Sequence, residues 1–345
     1  MKKKISVCHI GAGRIGFTLE FDKKRKRPAS HLGMWKSNKD IKLSGVSEKK
    51  DINKKLLDKI SKNIVVYKNF VKMVKNEKPD IVSIATWKDT HYAITNKCID
   101  LGIKVIVLEK PLANNINQAI RLHKKINKEK VKVLVNHRRR YDKEIIKLRH
   151  KINSGFIGNI IQVSSYYVYG VLTTGTHLID TLRMLLCDVA GDIENVIGIK
   201  NEFNFFHPKD DAMIDGILFF GNKLKATIQS LDIKKYDNFD ICIFGTKGKI
   251  LISGIGRTGL VYKVIKSPEH SGFEELAQFP KKIFGNRPRN QFGLLAKNAV
   301  DCVKNYKAKP FCDDYESLVD MIVIDGLLKS SKKGGIKVKI KKLKK

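Results

Sequence analysis

Proline is rare in this 345-residue chain, with 8 residues, and glycine, with 25, follows no repeat, so neither a collagen-like nor a Pro/Gly-rich disordered protein fits. Cysteine is scarce and scattered. Cys8, Cys98, Cys187, Cys242, Cys302 and Cys312 form no C-x-x-C pair, which argues against a zinc site or a compact disulfide framework and for reduced thiols in a cytoplasmic setting. No apolar stretch approaches the ~20 residues that span a bilayer, so no membrane partner is expected. The opening MKKKISVCHIGAG is basic, but Ser6 and His9 break its apolar run and it passes straight into glycines, unlike a signal peptide.

Acidic side chains are the scarce charge. Lys and Arg number 68 against 34 Asp and Glu, a formal charge of +34. Counterion release would reward such a surface on nucleic acid or an anionic membrane. Lys far outnumbers Arg, however, and Ile and Asn are plentiful, as an A/T-rich coding sequence would give with no phosphate partner. Contacts to phosphates and guanines favour arginine forks at least as much as lysine, so nucleic acid is the less favoured partner. What remains, 42% hydrophobic and 30% charged residues, is a soluble globular composition. At roughly 150 residues per domain, the length predicts two domains.

The β-branched runs ISVCHI, IKLSGVS, DIVSIAT, KVIVLE and VKVLVN alternate with the helical patterns LLDKISKN, NFVKMVKNEK and THYAITNKCIDLG, the last with Gly102 as a C-terminal cap. Alternation of this kind predicts an α/β doubly wound parallel sheet over residues 1–137. From 138 to 345 the pattern changes. A helix through Tyr141–Asn153 precedes the strands IIQVSSYYVYG, MIDGILFF, KLKATIQSL and FDICIFG, with Gly-Asn and Gly-Thr-Lys-Gly turns, which predicts a second, α+β domain with a mostly antiparallel sheet. Two helical patterns, NQFGLLAKNAVDCVKN and YESLVDMIVIDGLLKSS, follow. In the closing GGIKVKIKKLKK, Ile336, Val338 and Ile340 alternate with lysines as in a half-buried edge strand; a basic tail gripping nucleic acid is the rival reading.

Gly11-Ala12-Gly13-Arg14-Ile15-Gly16 is a G-x-G-x-x-G directly after a strand. The first glycine permits a tight turn, the second lets the backbone approach a pyrophosphate, and the third lets helix and strand pack closely, with the helix N-terminus facing the anion. Glu48, ending the second strand, suits the adenosine ribose hydroxyls and favours NAD. Lys49 and Lys50 follow at once and could neutralise a 2′-phosphate, so NADP stays open. The step from Gly11 to Glu48 exceeds the usual ~20 residues, which places an insertion around FDKKRKRPASHLG. Its basic cluster, Lys23 to Arg27, reads as a solvated or phosphate-facing loop ahead of a nucleic-acid patch.

The run KVIVLEKPLA, with Glu109-Lys110-Pro111, resembles the E-K-P signature of the Gfo/Idh/MocA oxidoreductases, the glucose-fructose oxidoreductase and inositol dehydrogenase family. The resemblance extends through IATWKDTHYA, NHRRRYD, GTHLIDTLRML and GTKGKI. It implies a Rossmann domain, a C-terminal α+β domain whose open sheet forms a homo-oligomer interface, and an active site between the two. Lys110 is then the residue that hydrogen-bonds the substrate oxygen and favours a developing alkoxide, Pro111 fixes the strand exit, and Thr86, His91 and Glu109 belong to the cofactor side, with a helix-start role the plain alternative for Thr86 and His91. His177 matches the general acid/base, whose ordinary pKa of ~6.5 suits proton transfer from an alcohol. Asp180, three residues on, either orients His177 or caps the helix. Inositol-type members carry an acid four residues before that histidine, where this chain has Thr173. Asn136, Arg138, Arg139, Arg140 and Tyr141 lie where relatives reach the substrate, and guanidinium forks suit a sugar nucleotide; a solvated charge run is the plain alternative. The whole predicts an NAD(P)-dependent dehydrogenase or reductase acting on a secondary alcohol of a sugar, plausible for a nucleotide sugar of surface glycans. A non-catalytic dinucleotide-binding regulator and a polyanion-binding protein are the rivals.

Overall fold

The computed structural model describes residues 4–201, 211–285 and 289–341. The chain divides into two compact units, Met1–Asp142 with Pro288–Met321 and Lys143–Arg287 with Ile322–Lys345. The sequence-based boundary at 137/138 therefore differs from the structure in its second part. Residues 288–321 return to the first unit.

In the first unit, strands β1 (Ile5–Ile10), β2 (Ile41–Ser47), β3 (Val65–Tyr67), β4 (Ile81–Ile84), β5 (Val105–Leu108) and β6 (Lys132–Val135) form a parallel sheet of order β3-β2-β1-β4-β5-β6. The crossovers carry α1 (His31–Lys36), α2 (Lys54–Ile60), α3 (Phe70–Glu77), α4 (Lys88–Asp100) and α5 (Ile116–Lys128). Strands β4 and β5 are buried throughout, as expected of parallel strands covered on both faces. The strand order reverses between β1 and β4, and ligands of such sheets bind at the carboxyl ends there. Gly11 and Thr86 follow those two strands. The returning segment seals the β6 edge: Val135 N–H donates to the Cys312 carbonyl at 2.9 Å, and Lys132 Nζ donates to the carbonyls of Cys302 and Asn305, both at 2.9 Å.

The helix expected after the glycine motif is interrupted. A 3-10 turn at Thr18–Phe21 follows the glycines, and α1 begins only at His31. The amides of His31 and Leu32 donate to the carbonyls of Ile15 and Gly16 at 3.0 and 2.9 Å. Residues 17–30 thus loop out of one helical path, at the place where the spacing implied an insertion. Buried Glu20 closes the base of the excursion by accepting the Ala29 amide at 2.8 Å and the Ser30 hydroxyl at 3.2 Å.

In the second unit, α6 (Lys143–Asn153), two residues shorter at its start than expected, and α7 (Thr176–Ala190) are joined by β7 (Ile160–Val168). Strands β8 (Ile193–Lys200), β9 (Ile214–Phe220), β10 (Lys225–Leu231), β11 (Phe239–Gly245), β12 (Gly248–Ser253), β13 (Thr258–Lys266), β14 (Glu274–Leu276) and β15 (Lys281–Phe284) follow. Next come α8 (Gln291–Lys304), in the first unit, and α9 (Asp314–Lys332), which begins in the first unit and ends in the second, and then β16 (Val338–Lys339). The sheet order is β14-β13-β12-β11-β7-β10-β9-β8-β16, with β15 on β13, and β7–β10 is its one parallel pairing among the described residues. Alternating burial along β11 and β12 leaves one face for the core, where Val163, Ile228 and Ile241 meet Leu178, Leu182 and Leu327. The closing edge strand is real but short. Ile340 is buried, Ile336 is exposed, and residues 342–345 of the basic tail lie outside the described residues. Among the described residues no helix is long and apolar enough to cross a membrane.

Tyr167 fastens this unit internally. Its fully buried hydroxyl donates to the Ile214 carbonyl at 2.8 Å and accepts the Ile214 amide at 2.9 Å. Tyr167→Phe leaves both backbone groups short of a partner and is expected to cost about 2 kcal/mol, read as a lowered urea midpoint; an unchanged midpoint would refute that role.

Candidate active site

The glycine loop is shaped by close approaches. Gly11 has φ +95°, and a Cβ there would lie 2.6 Å from the Ala85 carbonyl oxygen; a Cβ on Gly16 would lie 2.1 Å from the Gly11 oxygen. Gly13 differs, with open space where its Cβ would stand, and both Gly13 and Arg14 are exposed. Ile15 is half-buried and serves the loop through its carbonyl, which holds α1. At the end of β2 the Glu48 carboxylate accepts the Ala12 amide at 2.8 Å and the Lys50 amide at 3.1 Å. The loop therefore combines an open backbone approach with an acidic group fixed beside it, an arrangement that fits a dinucleotide with a free ribose diol. Lys49 and Lys50 are exposed just beyond.

Behind the loop runs a row of buried polar groups. His9 Nε2 contacts the Gly11 carbonyl at 2.8 Å, His9 Nδ1 the Ser83 hydroxyl at 3.1 Å, Ser83 the His31 Nδ1 at 2.9 Å, and His31 Nε2 the Glu109 carboxylate at 2.8 Å. Asn136 donates to the same Glu109 oxygen at 2.5 Å. His9, Ser83 and His31 are wholly buried, and Phe292 of α8 packs edge-on against the His31 ring, 5.7 Å between centroids. Burial, then the proximity of His31, pushes the His9 ring down to about 3. Burial alone would raise the Glu109 carboxyl, but the hydrogen bond and charge of His31, the Asn136 amide and the Lys110 charge overcome it and hold it at about 2.

This row ends at the turn that carries Lys110. The Lys110–Pro111 bond is cis, and the turn is fastened on its far side too, because His91 Nδ1 donates to the Pro111 carbonyl at 2.7 Å while its Nε2 lies 3.1 Å from the Thr86 carbonyl. His91 is wholly buried, which lowers its basicity. Lys110 itself is half-buried at the carboxyl edge of β5. His91, Glu109 and Asn136 are buried, and their side chains hold the turn. Thr86 is half-buried and accepts the Thr90 hydroxyl at 2.7 Å.

The arginine junction is largely structural as well. Residues Arg138–Tyr141 form a 3-10 turn. Arg140 is buried and paired with Glu316 at 2.9 Å. Tyr141 is 1% exposed and stacks on Phe311, centroids 5.9 Å apart. Arg138 and Arg139 are half-buried.

In the second unit the residues around His177 are organised by a carboxylate that the sequence did not single out. Asp211, 5% exposed, accepts the Leu172 amide at 2.8 Å, the Thr173 amide at 2.8 Å and the Thr173 hydroxyl at 2.5 Å. Gly170 permits this, since a Cβ there would lie 2.0 Å from the Asp211 carboxyl carbon. The gripped residues form a single π turn, Val171–Gly175, leading directly into α7. Thr173 is exposed above its buried partner. With its hydrogen committed to Asp211, the Thr173 oxygen acts otherwise only as an acceptor. His177, the second residue of α7, is half-buried, and its carbonyl accepts the Thr181 hydroxyl at 2.6 Å. Asp180, three residues further along α7, is buried.

Residues 5–137 match the model of an oxidoreductase family with an NAD-binding Rossmann fold. Oxidoreductase P35 of Formosa agariphila is 32% identical over 229 residues, 57% of this chain and 69% of the relative. The inositol 2-dehydrogenase/D-chiro-inositol 3-dehydrogenase of Lacticaseibacillus casei is 31% identical over 138 residues, 36% of this chain and 40% of the relative. The chain spans about half the length of several curated relatives that it matches. Among solved structures, the WlbA dehydrogenase of Bordetella pertussis, in complex with NADH and UDP-GlcNAcA, superposes with a TM-score of 0.75 at 16% identity, covering 99% of this chain and 100% of that one.

The buried row sets a pH dependence. A folded His9 at about 3 against an ordinary 6.5 refuses a proton that the unfolded chain accepts, so its contribution to stability is whole above pH 6.5 and drains as pH falls toward 3. Glu109, at about 2 against 4.5, contributes above pH 4.5 and loses that contribution as pH falls through 2. His9→Gln is expected to flatten the stability curve between roughly pH 6 and 4 by one proton's slope, about 1.4 kcal/mol per pH unit. Urea titrations of both proteins across that range measure it, and parallel curves would contradict the assignment.

Proposed function

Because the chain belongs to the Gfo/Idh/MocA family of NAD-binding oxidoreductases, we propose that it transfers hydride between nicotinamide and a secondary alcohol or ketone of a sugar, with a nucleotide sugar as the favoured substrate. The observation that carries this reading is the Lys110 turn. Its Glu109 carboxylate is held by His31 and Asn136 and its Pro111 carbonyl by His91, which fixes one half-buried lysine at the ligand edge of a Rossmann sheet. Bound NAD would supply the hydride acceptor.

The Lys110 ammonium donates a hydrogen bond to the substrate oxygen and favours its negative charge as the carbon–hydrogen bond breaks. His177 takes the hydroxyl proton in the oxidative direction and returns it in the reductive one. Thr173, an acceptor-only hydroxyl held by Asp211, receives a hydrogen bond from a neighbouring substrate hydroxyl, and Asp180 steadies the helix that carries His177. Glu48 favours NAD over NADP, because its fixed carboxylate accepts ribose hydroxyls and repels a 2′-phosphate. Support for the nucleotide-sugar class comes from the exposed Thr173 in place of an acid, the half-buried Arg138 and Arg139, and the sugar-nucleotide complex of the Bordetella dehydrogenase. A cytoplasmic homo-oligomer completes the proposal.

With NAD and a panel of polyols and UDP-sugars, the wild type is expected to turn over at least one member. His177→Ala and Lys110→Ala should each lower kcat by about 100-fold or more, with NADH affinity kept in His177→Ala. Undiminished turnover in His177→Ala would overturn the assignment of the proton-transfer group.

A further inference from the structure

The row behind the glycine loop can be counted in hydrogens. Its four contacts, Gly11–His9, His9–Ser83, Ser83–His31 and His31–Glu109, lie between 2.8 and 3.1 Å and each needs one hydrogen. Both ends are acceptors: a backbone carbonyl has no hydrogen to give, and neither has a carboxylate. Two neutral imidazoles and one hydroxyl supply three hydrogens. The fourth must be an additional proton.

The ends also fix the direction. His9 Nε2 must donate to Gly11, which leaves Nδ1 of a neutral His9 ring to accept from Ser83; Ser83 then accepts from His31 Nδ1. Three of the four hydrogens are thereby assigned, and the extra one falls in the His31–Glu109 contact. The Glu109 oxygen is shared with the Asn136 amide, Lys110 adjoins it, and His91 is the other histidine near the turn. Protonating His9 instead is the costly alternative, since that ring is wholly buried and has no carboxylate in contact.

We infer that His31 and Glu109 hold one trapped proton between them, and that His31 is a positioning residue which, through Glu109, sets the lysine-bearing turn and, through Ser83 and His9, the first carbonyl of the glycine loop. Loop and turn are thus one hydrogen-bonded unit, in which His31, Ser83 and His9 in turn each donate toward the loop. The proton count stands on these contacts alone; the bearing on Lys110 as a catalytic group rests on the function proposed above.

The test is 15N NMR of the full-length protein carrying labelled histidine, with His9→Gln and His31→Gln spectra assigning the rings and 13C labelling reporting the Glu109 carboxyl. At neutral pH, His9 is expected to show a bare Nδ1 and a protonated Nε2, and the His31–Glu109 contact one proton, seen on either partner. In Glu109→Gln the side-chain amide can supply the fourth hydrogen as Asn136 turns its own amide, so the His31 Nε2 should become bare. A bare His31 Nε2 facing an ionised Glu109 in the wild type would overturn the inference. Should the wild type turn over a sugar, Glu109→Gln is expected to lower kcat about tenfold or more with NADH affinity held. Absence of any turnover would count against the proposed function and leave the NMR result standing.

Discussion

A hydrogen bond inside a protein contributes little when made and costs much when left unmade, and the row from Gly11 to Glu109 is the constraint around which the first unit is arranged. Each member comes from a different piece of the sheet: His9 from β1, Ser83 from β4, Glu109 from the end of β5, Asn136 from the end of β6 and His31 from α1. The excursion of residues 17–30 has to return His31 to the glycine loop, and it does so by giving the Ile15 and Gly16 carbonyls the amides they would otherwise have found one turn further along. The returning segment has a matching task. Phe292 of α8 covers the His31 ring, and the same segment closes the β6 edge.

The second unit uses a buried acid in a related way. Asp211 lies 38 residues beyond Thr173 in the chain, yet it takes up two successive amides and a hydroxyl of the turn that leads into α7. A carboxylate in that position fixes backbone first and polarity second: the turn cannot unwind without stranding the acid, and the exposed threonine oxygen is left as an acceptor. Neither Glu109 nor Asp211 presents a charge to solvent. The groups proposed to act on substrate, Lys110 and His177, are each adjacent to or shortly after a segment so held. This matches the general requirement that reacting groups be held by packed and hydrogen-bonded neighbours.

Much of the fold was legible in the sequence because burial on both faces of the parallel strands enforces β-branched runs, and burial of one face of β11 enforces alternation. ISVCHI and IKLSGVS coincide with β1 and β2, and FDICIFG with β11. The strand Val65–Tyr67 escaped because three residues at a sheet edge, with both valines exposed, carry no period. The amphipathic pattern of α8 announced a helix but not the sheet it packs against, so its return to the first unit was hidden. Glu109, His91 and Asn136 sit in the matched positions, yet their side chains turn inward. His9 and Ser83 could have been noticed as polar residues inside otherwise apolar strands. Asp211 left no local signal, since its partners lie in a distant turn.

The proposal to be tested first is that the first unit holds NAD with Glu48 beside the adenosine ribose. A parallel fluorescence titration of the purified, nucleotide-stripped protein with NADH and NADPH tests it most directly. The account predicts binding of NADH at micromolar concentration or better, at least tenfold tighter than NADPH, a difference of about 1.4 kcal/mol. Tighter binding of NADPH would make Lys49 and Lys50 the readers in place of Glu48, and no binding of either would contradict the account.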